Sequence, residues 1–301
     1  MSGMIDENKE LAALDELFSL AGKYKNNSDF TKLMDFIGRF PAIAPYNAML
    51  MHVQKPNAEY VLTASEWFRK FGLGIKPDAR PIVILRPFGP VKFVFDFSDT
   101  EGDKSKIPEE IRNPFAVYGK IVDRGLIHSL YARLPALGIE KREDSKAMND
   151  AGFLTVKRSS LTGSYTEFSN FGSQRVKILF TMSLNTNYPE EEKFITAVHE
   201  LAHLFCGHID LKIDNQYWPK RHFVDGKIKE FEAESVAWLV GRRLGLNNTS
   251  AASYLNKLLN ADSKLPDVSL EYIIKSAAEI ETLIKSKSIK PKKAVTIGDN
   301  K

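Results

Sequence analysis

The pentapeptide His199-Glu200-Leu201-Ala202-His203 constrains this chain more than any other stretch of it. Two histidines four residues apart share one face only on a helix, where both rings can reach a single ion. The glutamate between them is placed to meet a water at that ion rather than the ion itself. Zinc in such a site acidifies the water and polarises a carbonyl, and the carboxylate accepts and returns the proton. The flanks agree with a helix. Pro189 followed by Glu190, Glu191 and Glu192 marks its start, because proline suits a first turn and carboxylates favour the positive dipole end. Phe194, Val198, Leu201, Ala202 and Phe205 form its apolar stripe, and it is predicted to run to about Gly207.

A zinc site that does chemistry needs a third protein ligand and one open position. The helix predicted over 227–244 offers Glu230, Glu232 and Glu234. Glu230, Ala233, Glu234, Ala237 and Gly241 share a face, and its small residues let two helices approach closely. Glu230 is therefore assigned as the third ligand, and Glu234, one turn on, as the acid that orients a ligand histidine. Glu232 points elsewhere and is the reserve candidate. His208, beyond the helix end, is expected to be a local hydrogen-bonder or a substrate contact. Tyr217 and His222 are candidate proton donors to an oxyanion, and Cys206 is expected to be a small buried residue.

The 301 residues are 43% hydrophobic and 27% charged, enough to bury a real core, which excludes a disordered or collagen-like chain. The single cysteine excludes an intramolecular disulfide framework and fits a reducing compartment. The acidic start lacks a secretory pattern and no run approaches ~18 apolar residues, so a cytoplasmic protein without a membrane partner is expected. A formal net charge of +4 permits an anionic partner without demanding one.

The periodicities predict an α+β protein: a small amino-terminal α+β domain over 1–103, a second domain of helices on a small sheet over 104–285, which the resemblance below makes zincin-like, and a basic mobile tail over 286–301. Helices are expected between 8 and 40, with Leu11, Leu14, Leu17, Phe18 and Ala21 at helical spacing, then near 46–51 and 64–71. Strands are expected at 81–85 and 91–97 around Pro87-Phe88-Gly89-Pro90. Further on come a helix over 115–134, a polar connector over 140–150, and strands at 153–156, 165–168 and 176–180, the last an edge strand. Helices over 250–259 and 269–285 follow. In the first domain Arg69, Lys70, Lys76, Arg80, Arg86 and Lys92 interleave with Trp67, Phe68, Phe71, Phe88 and Phe93, with Glu66 and Asp78 the nearby acids. Cations tracking phosphates beside aromatic faces that stack bases describe a platform for single-stranded DNA.

The pentapeptide, taken with Glu230-Phe231-Glu232-Ala233-Glu234-Ser235-Val236-Ala237, resembles the ImmA/IrrE-type metallopeptidases, which are gluzincin-like. Val236 stands where that family carries an aromatic residue. The resemblance implies that His199, His203 and Glu230 hold zinc and that Glu200 is the general base. The amino-terminal half resembles the leading domain of ArdC-type antirestriction proteins through Tyr46-Asn47, Gln54-Lys55-Pro56-Asn57-Ala58, Trp67, residues 81–87 and Asp99-Thr100-Glu101-Gly102. Those proteins join a single-stranded-DNA-binding domain to a zincin-like domain and come from mobile elements. Besides a metal-dependent regulator that cleaves a single repressor protein, two functional readings follow. In one, the chain is a zinc metallopeptidase acting on a protein or peptide, with a DNA-binding accessory domain. In the other, it is an antirestriction protein that shields DNA by binding it, and zinc is structural or regulatory.

Overall fold

The structure, a computed structural model, describes residues 24, 26–86, 89–108, 111, 124–145, 151–157, 167–211, 217–246, 265–293 and 295–296. The fold is α+β, and the chain forms two compact units: residues 1–118 with 260–265, and residues 119–259 with 266–301.

The first unit opens with α1 (Asn27–Arg39), whose start is set by the Asn26 side chain accepting the Asp29 amide. Phe30, Leu33, Phe36 and Ile37 recur at helical spacing and are buried. The expected helical positions from Leu11 to Ala21 lie outside the described residues. α2 (Pro45–Gln54) begins on proline. After β1 (Val61–Leu62), α3 (Ala64–Phe71) is fixed by a capping box between Thr63 and Glu66 and closed by Gly72 in the left-handed region. β2 (Gly74–Ile75), β3 (Ile82–Arg86), β4 (Gly89–Asp96) and β5 (Thr100–Glu101) complete the unit. The strands form an antiparallel sheet ordered β1-β4-β3 and a separate β2-β5 pair.

The outer edge of β3 is finished by side chains rather than by a strand. Asn47 donates to the Leu85 carbonyl and accepts the Leu85 amide, while Gln54 does the same at Val83. A carboxamide carries a donor and an acceptor, so each imitates one peptide unit of a missing neighbour. Trp67, Leu73, Ile107 and Ile111 form one buried cluster, so the first unit extends past Asp103, the boundary expected from charge and proline content.

The second unit contains α4 (Arg124–Arg133), β6 (Ile139–Asp144), β7 (Gly152–Val156), β8 (Phe168–Phe171), β9 (Gln174–Lys177), β10 (Phe180–Asn185), α5 (Glu190–Phe205), α6 (Gly226–Arg243) and α7 (Leu270–Lys285). Its main sheet is ordered β6-β10-β7, with β10 parallel to β6 and antiparallel to β7. Three expectations change here. The strand expected over 176–180 is two strands, broken where Leu179 and Phe180 are both buried and the alternation of faces slips. The second of them, β10, is central to its sheet and not an edge, with Phe180, Met182 and Leu184 buried. The polar connector contains β6, whose charged sequence Glu140-Lys141-Arg142-Glu143-Asp144 hides a strand that exists through its pairing with β10. The expected helix over 250–259 lies outside the described residues.

The tail is also corrected. Val295 is fully buried, the Lys177 amide donates to its carbonyl, and the Lys292 amide donates to the Ala136 carbonyl. Through Thr296, which bridges to Val176, these residues are docked on the second unit. One apolar side chain among lysines anchors what composition alone makes a solvated end.

Candidate metal centre

α5 buries Phe194, Ala197, Val198, Leu201 and Ala202, which leaves His199 and His203 on its other side, each about one-sixth exposed. Across from them α6 buries Ala233 and Ala237, and this small-residue contact brings Glu230 up to both rings. The Glu230 carboxylate lies 3.5 Å from the Nε2 atoms of His199 and of His203, and those two nitrogens are 3.0 Å apart. Tetrahedral zinc with bonds of about 2.0–2.1 Å separates its ligand atoms by about 3.3 Å. The two imidazoles and the carboxylate are donors that zinc favours, and their spacing is close to what a cation of that size needs. Glu230 is half exposed, so the group opens to solvent on that side.

Glu234 lies 3.5 Å from His199 Nδ1, on the opposite side of that ring from Glu230. Glu200 accepts the Leu154 amide at 2.8 Å. Lys157 donates to Leu179 and Asn185 to Ala151, so the odd-numbered residues of β7 face β10 and the Leu154 amide points the other way, to Glu200. The pentapeptide is thereby tied to the sheet through its own acid.

Charge follows the same arrangement. Burial works to lower the His199 pKa, but the carboxylates of Glu230, Glu234 and Glu200 together hold it above the ordinary value. His203 is pushed down by burial and by His199 beside it. Glu230 is lowered by its contact with His199, against the effect of burial, whereas burial raises Glu234.

Comparisons with known proteins give a distant likeness. No family model and no curated protein matches the chain. Among solved structures it is similar to the metal-free crystal structure of the antirestriction ArdC protein from the R388 plasmid. The match has 17% identity and a TM-score of 0.35, and covers 79% of this chain and 81% of that one. The ImmA/IrrE resemblance rests on the short motifs alone.

Glu232 does not join His199 and His203. It is fully buried behind them, accepts from His208 Nε2 at 2.8 Å, takes both guanidinium nitrogens of Arg221 at 2.7 and 2.8 Å, and accepts the Ser269 amide. Burial alone would raise its pKa, but these donors bring it down to about 2. Cys206, His208 and Glu232 offer a second set of clustered donor atoms. That set is already engaged: both Glu232 oxygens meet Arg221, and the Cys206 thiol, raised by burial to about 12, lies 3.2 Å from the Ser276 hydroxyl.

His208 was legible by a route the helical pattern does not use. α5 ends in a Schellman motif: Gly207 has φ 77°, its amide donates to the Leu204 carbonyl, and the His208 amide donates to the His203 carbonyl. That motif sets the residue after the glycine against the one five before it. Here the two are His208 and His203, with their Nδ1 atoms 3.0 Å apart. Tyr217 is exposed, and His222 faces Asp210 at 3.8 Å.

In the first unit the expected DNA-binding residues divide. Trp67 is corrected: it is fully buried, donates its indole N–H to the Phe95 carbonyl, and cannot stack on a base. A tryptophan amid cations reads as a platform in sequence, but its neighbours Leu73, Ile107 and Ile111 are core. Arg69, Lys70, Arg80 and Arg86 are exposed. Lys76 is exposed and donates to the Ser98 carbonyl, and Lys92 lies 3.6 Å from Glu66. Among the described residues of this unit, Phe68 and Phe93 are the exposed large aromatics, at 71% and 52%, while Phe88 lies outside the described residues. Among the described residues, no helix is long and apolar enough to cross a membrane.

Proposed function

We propose that the second unit is a zinc-dependent, peptidase-like hydrolytic centre held by His199, His203 and Glu230, with Glu200 as its proton-handling group. The observation that carries this reading is the convergence of three donor atoms from two helices at distances that suit zinc. Zinc bound there would supply an acidified water and a polarised carbonyl. Glu230 and the two histidines contribute one negative charge between them, which leaves the cation net positive and electrophilic. Glu200, adjacent to the ligand His199 and held by the Leu154 amide, would take the proton from the nucleophile and deliver it to the departing amine. The opening beside half-exposed Glu230 gives a substrate its approach.

Glu200→Gln tests this directly. The variant is expected to bind zinc like the wild type while losing at least about 10²-fold of peptide hydrolysis, the usual contribution of a general base. Mass spectrometry of partner proteins incubated with both forms reads the outcome. Equal cleavage by the two would refute the assignment.

A second reading is favoured by the exposed Phe68 and Phe93 in a unit that also exposes Arg69, Lys70, Arg80 and Arg86. On it, the first unit binds single-stranded DNA and the protein acts in antirestriction by shielding that DNA. Reversing Lys70 and Arg86 to glutamate should then weaken binding of an oligonucleotide. The slope of log affinity against log salt should also fall by about 0.7 for each phosphate that is no longer neutralised. An unchanged salt slope would count against it.

A further inference from the structure

Behind the three converging donors runs a chain of polar groups, buried at His208 and Glu232, that hydrolysis does not use. Arg221 grips Glu232 through two nitrogens, Glu232 meets His208 Nε2 at 2.8 Å, and His208 Nδ1 meets His203 Nδ1 at 3.0 Å. His208 and Glu232 side chains are 1% and 0% exposed, so each polar atom must be satisfied within the protein. We propose that Arg221, Glu232 and His208 form a positioning chain that holds His203 as its Nδ1–H tautomer and thereby turns a bare Nε2 lone pair toward His199 and Glu230. The proposal rests on the metal-centre reading above and explains how one of its ligands is prepared.

The protons order themselves from the inner end. A carboxylate can only accept, so His208 Nε2 carries the hydrogen in that contact. Arg221 already grips Glu232, and on the metal-centre reading His203 coordinates through Nε2, so the His208 Nδ1 that faces its other nitrogen is the acceptor. The 3.0 Å contact then requires His203 to donate through Nδ1, which leaves His203 Nε2 without a hydrogen. That is the nitrogen 3.5 Å from Glu230 and 3.0 Å from His199 Nε2.

The backbone supports the same chain. The Schellman end of α5 sets His208 against His203. A Cβ on Gly207 would lie 2.5 Å from the Pro219 carbonyl oxygen, so only glycine admits the strand of chain that carries Arg221, whose amide donates to the Gly207 carbonyl. Arg221 also donates to the Cys206 carbonyl, and the Ser269 amide before α7 closes on Glu232. Four segments hold one proton arrangement, and only one of them carries the ligand histidines.

The test uses the full chain and added zinc or cobalt. His208→Phe keeps an apolar contact at the helix end but removes the acceptor for His203 Nδ1. It is expected to weaken zinc affinity, measured by chelator competition, by about 10–100-fold and to alter the visible spectrum of the cobalt form. Glu281→Gln, which breaks the buried Arg243–Glu281 pair elsewhere in the unit, is expected to lower stability with affinity and spectrum unchanged. Nitrogen-15 spectra of the metal-free wild type supply a measurement that needs no variant, and should show His203 protonated at Nδ1 and His208 at Nε2. Wild-type affinity and spectrum in His208→Phe, or a His203 protonated at Nε2, would overturn the positioning chain and leave the metal centre standing. A wild type that binds zinc no better than His199→Ala would overturn the centre and the chain together.

Discussion

Gly207 is the residue on which the inner wall of the site turns. Its φ of 77° ends α5, and the space where a side chain would sit is filled by the backbone of Pro219. Gly207→Ala is expected to cost more than about 2 kcal/mol, from left-handed strain added to a clash with backbone that cannot move aside. Denaturant unfolding measures the loss, and a change within about 0.5 kcal/mol would show that Pro219 yields. Cys206, one residue earlier, is buried to a point where its thiol stays protonated at ordinary pH. Neither property shows in composition; both follow from what a neighbouring segment places against the helix end.

Among the elements, β3 is the instructive case. Its outer edge pairs with two carboxamides about two helical turns apart on α2, Asn47 and Gln54, and not with another strand. The combined Asn47→Ala and Gln54→Ala change leaves four backbone groups of β3 without these partners. It is expected to destabilise the first unit by about 2–6 kcal/mol, taking roughly 1–3 kcal/mol for each carboxamide removed. A cost of less than about 1 kcal/mol would mean that water replaces both side chains without penalty. The helices were readable because a 3.6-residue period survives any environment. α1, α3, α5, α6 and α7 all announce themselves through apolar spacing, caps or a terminal proline. The sheet of the second unit was less so: β6 is nearly all charge, and the 176–180 run crosses a break between strands. A strand's partner lies far along the chain, and local pattern does not contain it.

For the molecule as a whole, buried tyrosine and cysteine groups in both units titrate in the same direction. In the first, Tyr24 is raised to about 12 by burial and by Asp29, and in the second Cys206 is raised to about 12 by burial. Tyr131 is raised as well, by burial and then by Glu190 and Glu143. In the unfolded chain these groups ionise near their ordinary values, about 8.5 for cysteine and 10 for tyrosine. Between about pH 9 and 12 the folded state therefore binds more protons than the unfolded one, and stability falls as pH rises. Urea midpoints of the metal-free protein at pH 7.5, 9 and 10.5 should decrease in that order, and a midpoint that climbs over this interval would contradict the sign. Metal changes none of that reasoning but adds to it by mass action, since any ion bound only by the folded state raises the midpoint with its concentration.

Read alone, the chain determined that His199, Glu200 and His203 share a helix, because spacing along a helix is a local property. It also placed Glu230 on the α6 face shared with Ala233, Glu234 and Ala237 and Glu232 on another, since faces of one helix are set by spacing. Tertiary structure alone decided that Trp67 is core, that the basic end is anchored by Val295, and that Glu232 meets His208, which in turn meets His203. The physical reason is common to all three. Burial and hydrogen-bond partnership depend on which distant segment arrives at a residue, and that arrival is fixed by the packing of the whole unit rather than by the residues on either side.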